Sequence, residues 1–191
     1  PPALIETFRN IPEETNAAYY IVQHGPPWML ETFTQRLQRE TGLNVKLAMN
    51  GMISEVNTVY IAPGDKHLRI EEGTLKILLD EGPKENFVRP AVDPLFRSAA
   101  NAFGRYTIGV IMTGLGRDGT QGAAQIASVN GTIIIQDPAT AVAPSMPRTA
   151  IESGIQHKIA SLSDLGKMII ETVFPISAQL KKATKENQSN K

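Results

Sequence analysis

The stretch Val110-Ile111-Met112-Thr113-Gly114-Leu115-Gly116-Arg117-Asp118-Gly119 decides the fold class of this chain. Apolar residues that fit a β-strand lead into a turn with three glycines and one carboxylate, and a helical pattern follows. Glycine lets a backbone turn tightly and approach other groups closely, because it has no Cβ. An open α/β sheet usually carries its chemistry at the carboxyl ends of its strands, so Asp118 is a candidate functional residue.

Strand and helix patterns alternate along the rest of the chain. Segments that fit strands cover residues 19–23, 45–48, 58–62, 107–112 and 132–136. Helical patterns cover residues 3–9, 30–42, 93–104, 120–129 and 163–174, and a proline-rich loop is expected after residue 136. Residues 67–71 and 74–79 alternate apolar and polar side chains around a turn, which predicts an antiparallel hairpin. We therefore predict a three-layer α/β/α fold, with a mostly parallel sheet and the hairpin at its edge.

The two ends of the chain differ in character. Domains of this class seldom begin on a bare helix, so we expect a strand and a turn upstream of Pro1. The domain is predicted to cover residues 1–176. Residues 177–191 are polar and rich in lysine, and they are predicted to form a disordered tail.

Composition narrows the functional classes. The 191 residues suffice for one domain with a substantial core, and 41% apolar and 20% charged residues are ordinary for a globular protein. Lysine plus arginine equals aspartate plus glutamate at 19 each, so net charge gives no reason to expect a nucleic-acid partner. No apolar run approaches the roughly 20 residues that span a bilayer, so we expect no membrane insertion. The absence of cysteine excludes thiol nucleophiles, disulfides and cysteine zinc sites, and it fits a reducing cytoplasm.

The glycines of the loop permit a dinucleotide-binding interpretation. Gly114, Gly116 and Gly119 spell G-x-G-x-x-G between a strand and a helix, and Asp137 ends the next strand. This spacing matches the dinucleotide-binding fingerprint with its ribose-binding acid. However, Asp118 would place a negative charge inside the loop that should hold pyrophosphate. The unit also begins past the middle of the chain, which leaves little room for a second mononucleotide-binding half.

A hydrolase interpretation pairs Asp118 with His24. His24 follows the first predicted strand, so both residues leave carboxyl ends of strands and share one edge of the sheet. Imidazole can act as a general base near neutral pH, and a buried carboxylate can hold its tautomer and stabilise the imidazolium. A structural role stays open for each residue. His24 can close a strand as a satisfied polar residue, and Asp118 can accept backbone hydrogen bonds in a turn or helix cap.

The remaining histidines give no further site. His67 lies at the start of the predicted hairpin and His157 lies near a strand, and both are predicted to be surface residues. Three scattered histidines show no metal-ligand spacing, so no metal site is predicted.

Five separated segments, taken together, carry a family resemblance. They are Ile21-Val22-Gln23-His24-Gly25-Pro26-Pro27, Tyr60-Ile61-Ala62-Pro63-Gly64-Asp65-Lys66-His67, Arg89-Pro90-Ala91-Val92-Asp93-Pro94-Leu95-Phe96-Arg97-Ser98, Thr113-Gly114-Leu115-Gly116-Arg117-Asp118-Gly119 and Ser145-Met146-Pro147-Arg148. These segments resemble the catalytic domain of the bacterial chemotaxis protein-glutamate methylesterase family, CheB. The resemblance runs in the family's order from Pro1 to about Phe174.

The resemblance implies an α/β fold and a Ser-His-Asp mechanism. His24 matches the family's catalytic histidine and Asp118 its catalytic aspartate. Leu115 stands where family members often have methionine, in a loop whose backbone N–H serves the oxyanion hole, and a backbone donor does not depend on side-chain identity. The family's nucleophilic serine lies in a G-x-S-x-G-G turn, which is expected just upstream of Pro1.

The function implied by the resemblance is hydrolysis of glutamyl methyl esters on methyl-accepting chemoreceptors. The products would be glutamate and methanol, glutamine deamidation would be a second activity, and no metal or organic cofactor would be needed. The resemblance also implies a cytoplasmic location and allows a receiver domain in the parent protein. An alternative of another class is a non-catalytic, receptor-binding relative, and the residues just before Pro1 would distinguish the two.

Overall fold

The computed structural model describes residues 2–189, and within them the chain forms six α-helices and eight β-strands. The helices are α1 (Pro2–Arg9), α2 (Pro27–Thr41), α3 (Val92–Phe103), α4 (Thr120–Ser128), α5 (Ser145–Glu152) and α6 (Leu162–Ser189). The strands are β1 (Ala18–Ile21), β2 (Asn44–Leu47), β3 (Thr58–Ile61), β4 (His67–Ile70), β5 (Ile77–Asp80), β6 (Ile108–Ile111), β7 (Thr132–Gln136) and β8 (Lys158–Ala160). In this part of the chain, no helix combines the length and the apolar character needed to cross a membrane.

The strands form two parallel sheets and one hairpin. In the first sheet β3 lies between β1 and β2, and in the second β7 lies between β6 and β8, with every pairing parallel. The predicted hairpin is confirmed, since β4 and β5 pair antiparallel with His67 opposite Asp80. Among the described strands, β1 and β6 each have a partner on one side only. The one mostly parallel sheet that we predicted is present as two three-stranded parts, and β1 and β6 are each an edge strand of one part.

Side chains that alternate along the strands divide between two cores. In β3, Val59 and Ile61 pack with helices α1, α2 and α6, whereas Tyr60 packs with α3, α4, α5 and the hairpin. In β7, Ile134 belongs to the first core and Ile135 to the second. Strands that are buried on both faces are typical of parallel sheets covered by helices. The predicted three-layer α/β/α architecture is confirmed.

One helix lies where a loop was predicted. Helix α5 occupies part of the proline-rich segment after residue 136. Its prolines do not oppose a helix, because Pro144 lies at the N-cap and Pro147 in the first turn, where backbone N–H groups have no partner within the helix.

Helix α6 is longer than predicted. It continues through Pro175 to Ser189, whereas we expected its end near Phe174. A proline inside a helix removes one backbone hydrogen bond. Residues 177–189, which were assigned to a polar tail, contain no glycine and no further proline, and they continue this helix. The last two residues of the predicted tail lie outside the described residues.

Candidate active site

His24 and Asp118 lie in contact, although 94 residues separate them in the sequence. His24 lies in the loop after β1, and Asp118 lies in the loop between β6 and α4. Both loops leave the carboxyl ends of parallel strands. His24 Nε2 lies 2.8 Å from Asp118 Oδ2. The structure thus brings together the two residues that the sequence placed at one edge of the sheet.

The carboxylate of Asp118 is buried and is held on both oxygens. Oδ2 accepts hydrogen bonds from the His24 ring at 2.8 Å and from the Val92 backbone N–H at 2.7 Å. Oδ1 accepts from the Asp93 backbone N–H at 3.2 Å and from the Asn86 side-chain amide at 3.1 Å. Val92 and Asp93 begin α3, where N–H groups have no partner within the helix. Asp118 therefore caps α3 and contacts His24 at once, so the structural role that the sequence left open coexists with the pairing.

The contacts of Asp118 determine its ionisation. Burial alone would raise the pKa of this carboxyl group, but the hydrogen bonds from His24, Val92 and Asp93 outweigh burial and lower the pKa below its usual value. The carboxylate is therefore ionised at neutral pH and can only accept hydrogen bonds, so His24 donates from Nε2. In the neutral ring Nδ1 then carries no proton, which makes Nδ1 the nitrogen that can act as a base.

A second buried carboxylate, Asp93, lies beside Asp118. Asp93 Oδ1 accepts a hydrogen bond from the Gly122 backbone N–H at 2.7 Å, and Oδ2 accepts from the Asn86 amide at 2.8 Å. Burial, together with the charge of Asp118, raises the pKa of Asp93 above its usual value in spite of these hydrogen bonds. Two adjacent acids thus have pKa values that are shifted in opposite directions.

In the glycine loop before α4, the residues on both sides of Leu115 are held by hydrogen bonds. The Gly114 N–H donates to Ala143 O at 2.9 Å, and the Gly116 N–H donates to Ser145 Oγ at 2.9 Å. Between them, the Leu115 N–H bonds to none of the described residues, and the Leu115 side chain is exposed. The loop therefore holds the Leu115 N–H, an unpaired backbone donor, between two anchored neighbours.

A mainly apolar cleft of about 820 Å³ separates the two parallel sheets. β1 and β6 line its two sides, and among the described strands neither has a partner on the side facing the cleft. Side chains of α1, α3 and α6 also line it, and so does His24, so the cleft reaches the paired residues. No hydroxyl group among the described side chains is hydrogen-bonded to the His24 ring.

A family model described as CheB methylesterase matches residues 1–169 of this chain. The chain belongs to the CheB methylesterase family. A solved structure, the catalytic domain of the Thermotoga maritima CheB methylesterase, matches with a TM-score of 0.86 and 37% identity, covering 90% of this chain and 92% of that chain.

Curated relatives of this CheB domain carry the name protein-glutamate methylesterase/protein-glutamine glutaminase. The one from Pyrococcus horikoshii is 38% identical over 175 residues, which cover 91% of this chain and 48% of the relative. The one from Thermotoga maritima is 37% identical over 175 residues, which cover 91% of this chain and 51% of the relative. The chain thus spans about half the length of these relatives.

The CheB family assignment removes the case for dinucleotide binding, and the loop geometry agrees. A Cβ at Gly114 would lie 2.2 Å from Met146 Sδ, so this glycine makes room for a core side chain rather than for a ligand. The negative charge of Asp118 lies in the same loop. Asp137, the proposed ribose acid, accepts a local hydrogen bond from the Ala139 N–H at 2.9 Å.

The surface position predicted for His67 is wrong. His67 is fully buried, with Nε2 2.9 Å from Pro83 O and Nδ1 3.2 Å from the Ala91 N–H. These partners require a neutral ring that donates from Nε2 and accepts at Nδ1. Ala91 directly precedes Val92 and Asp93, whose N–H groups donate to Asp118, so His67 helps to position these donors. The partners lie 16 and 24 residues away, and no sequence pattern indicates them.

The third histidine lies apart from the site. His157 is half-buried, and its Nδ1 lies 2.5 Å from the Ile155 carbonyl. Among the residues that the structure describes, no group of three or more histidine and acidic side chains could hold a metal ion.

The sequence reasoning missed Asn86, whose amide contacts both buried carboxylates. Its only local signal is an asparagine that follows two charged residues, and asparagine is common in turns for unrelated reasons. Only the fold reveals that the turn lies against the start of α3.

Proposed function

We propose that the intact CheB domain hydrolyses γ-glutamyl methyl esters on methyl-accepting chemoreceptors, releasing glutamate and methanol, and also deamidates particular glutamines there. The observation that carries this proposal is the 2.8 Å contact between His24 and Asp118 beside the apolar cleft. The printed names of the relatives, methylesterase and glutaminase, support the same substrate class. Both reactions cleave an acyl bond at the γ-carbonyl of a glutamyl side chain.

The nucleophile in this proposal is a serine upstream of Pro1, at the end of a strand that fills the cleft between β1 and β6. A strand running parallel to both of them would end at the edge where His24 and Asp118 lie. The apolar lining of the cleft suits a central strand that is buried on both faces. Such a strand would join the two half-sheets into one.

The proposed reaction has two stages. The serine Oγ attacks the ester carbonyl while His24 Nδ1 takes its proton, and Asp118 stabilises the imidazolium through Nε2. The Leu115 N–H donates to the developing oxyanion, a contribution of about 3 kcal/mol for one such donor. Methanol leaves with the proton from His24. Water, activated by the neutral ring, then hydrolyses the acyl-enzyme to glutamate and free serine. With glutamine as substrate, ammonia leaves in place of methanol.

Other parts of the proposal concern the surroundings of the reaction. The protein substrate is the receptor, and neither a metal nor an organic cofactor takes part. We also propose a cytoplasmic location without a nucleic-acid partner or membrane insertion, and a parent protein that has room for a receiver domain.

Methanol release from methylated receptors, measured with the full-length parent protein, tests the catalytic assignment. His24→Ala should lower the rate on the order of 10⁶-fold and Asp118→Asn on the order of 10⁴-fold. His157→Ala and Asp137→Asn are matched controls outside the pair and should keep the wild-type rate. Wild-type rates in the first two variants would remove both residues from the mechanism.

The residues upstream of Pro1 test the alternative of a non-catalytic, receptor-binding relative. A Gly-Ala-Ser-Thr-Gly-Gly-like stretch supports the enzyme, whereas a turn without a nucleophile supports the binding module. In the first case, replacing that serine by alanine should abolish methanol release and leave receptor binding intact.

A further inference from the structure

The side-chain amide of Asn86 bridges the two buried carboxylates of the site. Its Nδ2 lies 2.8 Å from Asp93 Oδ2 and 3.1 Å from Asp118 Oδ1. An amide nitrogen carries two hydrogens, so one can point to each acid. Asp93 and Asp118 are 1% and 2% exposed, so the half-buried Asn86 supplies a donor to carboxylates that solvent scarcely reaches.

Two adjacent buried carboxylates are unfavourable unless donors are placed between them. Burial disfavours the charged form of each acid, and the like charge of the neighbour disfavours it further. A neutral amide supplies a hydrogen bond to each carboxylate and adds no charge. Burial, and to a lesser extent the charge of Asp118, raises the pKa of Asp93, while the hydrogen bond from Asn86 lowers it.

The division of hydrogen bonds between the Asp118 oxygens links Asn86 to the orientation of His24. Oδ2 faces the imidazole and the Val92 N–H, while Oδ1 is held by Asn86 and the Asp93 N–H. Fixing Oδ1 prevents rotation of the carboxylate about its Cβ–Cγ bond. Oδ2 is thereby kept in line with Nε2 of His24.

The turn that carries Asn86 is anchored at several points. Glu85 and Val88 exchange backbone hydrogen bonds of 3.2 and 3.0 Å, and the two residues between them have positive φ, as in a type I′ turn. Arg97 Nη2 donates to both carboxylate oxygens of Glu85, at 2.6 and 2.8 Å. His67 holds the flanks of the loop through Pro83 O and the Ala91 N–H, as described above.

We propose that Asn86 is a positioning residue, which acts through Asp118 to hold the imidazole of His24 in its productive orientation. The proposal rests on the proposed function, since it assigns Asn86 to the same reaction. Two charged groups contact the amide, Asp93 of α3 and Asp118 of the loop before α4, and Asp118 in turn contacts His24. Glu85, next to Asn86 in the turn, pairs with Arg97 of α3 and Arg69 of β4.

Asn86→Ala tests the proposal, and Asn130→Ala is the matched control. Both asparagines have positive φ, 51° and 60°, so both substitutions impose the same backbone penalty, but Asn130 is exposed and makes no contact with the acids. In the full-length parent, Asn86→Ala should lower kcat about ten-fold with little change in KM, since a hydrogen bond to a charged group is lost. Because Asp118 loses a donor to its charged form, its pKa rises, and the acid limb of the plot of kcat against pH should move to higher pH. Asn130→Ala should keep the wild-type kcat and profile.

A second readout does not need the reaction. The ¹³C shift of the Asp118 side-chain carboxyl, followed against pH in the full-length parent, should show titration at higher pH in Asn86→Ala than in the wild type. Asn86→Ser keeps one donor and should lie between them, and it serves if the alanine variant fails to fold. An unchanged titration and an unchanged pH profile in the folded variants would overturn the proposal. If the titration of Asp118 shifts in Asn86→Ala but the wild-type parent releases no methanol, the link between Asn86 and Asp118 is supported and the proposed function is rejected.

Discussion

The aspartate side of the CheB site and the histidine side are held in contrasting ways. The side chain of Asp118 is 2% exposed and accepts hydrogen bonds from four groups, two of them backbone N–H groups of α3. The side chain of His24 is 28% exposed, and among the described residues its ring is hydrogen-bonded to Asp118 alone. Folding therefore fixes the acid, while the imidazole faces the cleft and can exchange a proton there. A substitution of His24 should therefore lower the reaction rate with little loss of stability, whereas a substitution of Asp118 should lower both.

The largest effect should come from the histidine side. In the full-length parent, His24→Ala should abolish methanol release while lowering the free energy of unfolding by about 1 kcal/mol or less, because Asp118 keeps its other donors. Paired kinetic assays and urea titrations measure the two quantities. A loss of stability as large as that of an Asp118 variant would contradict the contrast between the two sides.

Asp118→Asn should affect both quantities. The amide nitrogen would meet backbone N–H groups that need an acceptor, so we expect about 3 kcal/mol of lost stability beside the loss of rate. Urea denaturation of this variant and of Asp137→Asn, whose carboxylate makes one local hydrogen bond, separates the general effect of the substitution from the specific one. Equal stability in the two variants would show that the contacts with α3 contribute little.

The packing of α3 against α4 tests how firmly the aspartate side is held, and it can be changed without altering a charged group. A Cβ at Gly122 would lie 2.4 Å from Phe96 Cβ, so Gly122→Ala should push the two helices apart and cost about 2 kcal/mol, in spite of the better helix propensity of alanine. Gln125→Ala, on the exposed face of α4, is the control and should be neutral. Thermal melts of both variants give the answer, and a more stable Gly122→Ala would mean that the helices can move apart freely.

The pH dependence of stability should reveal the opposite pKa shifts of the two acids. The pKa of Asp118 is lowered from 3.8, so its contribution is complete above that pH and is lost as the pH falls through the native pKa. The pKa of Asp93 is raised from 3.8, so its ionised form costs stability, and this cost disappears as the pH falls through its native pKa. Urea midpoints at a series of pH values should therefore fall less steeply below pH 3.8 in Asp118→Asn than in the wild type. Asp93→Asn has no charge to lose, so it should lack the gain in stability that the wild type shows as the pH falls through the native pKa of Asp93. Identical curves in all three proteins would refute both pKa shifts.

The smallest effect should come from the turn that carries Asn86. Phe87 has φ of 68° and an exposed side chain, an unfavourable combination for a bulky residue. Phe87→Gly creates the Asn-Gly pair that type I′ turns favour, so we expect a gain of roughly 0.5 kcal/mol. Chemical denaturation measures the gain, with Leu75→Gly, at φ of 58° in the turn between β4 and β5, for comparison. A loss of stability in Phe87→Gly would indicate that the phenyl ring makes a contact worth more than the strain.

Hydrophobic periodicity and turn residues in the sequence were enough to predict the architecture. The alternation of buried strands and helices predicted the layers, and apolar–polar alternation predicted the hairpin of β4 and β5. The failures lie where proline was taken as a stop signal. Pro147 lies in the first turn of α5, and Pro175 is tolerated inside α6. A sequence does not show whether packing outweighs one lost backbone hydrogen bond.

Strand topology also placed the pair of candidate site residues. Because parallel strands end at one edge, His24 and Asp118 could be paired from the sequence. The surrounding contacts could not be predicted, since His67 and Asn86 reach partners through loops whose paths are set by tertiary structure. The division between β1 and β6 has a similar origin, because strand patterns do not specify which neighbour each strand takes.

The bridge between the buried acids makes one amide group important to the electrostatics of this CheB domain. Loss of ammonia from Asn86 would turn a neutral double donor into a third carboxylate beside Asp93 and Asp118. Adjacent buried carboxylates repel one another, so this change would weaken the hold on Asp118, whereas the same change at the exposed Asn130 would add a charge in solvent.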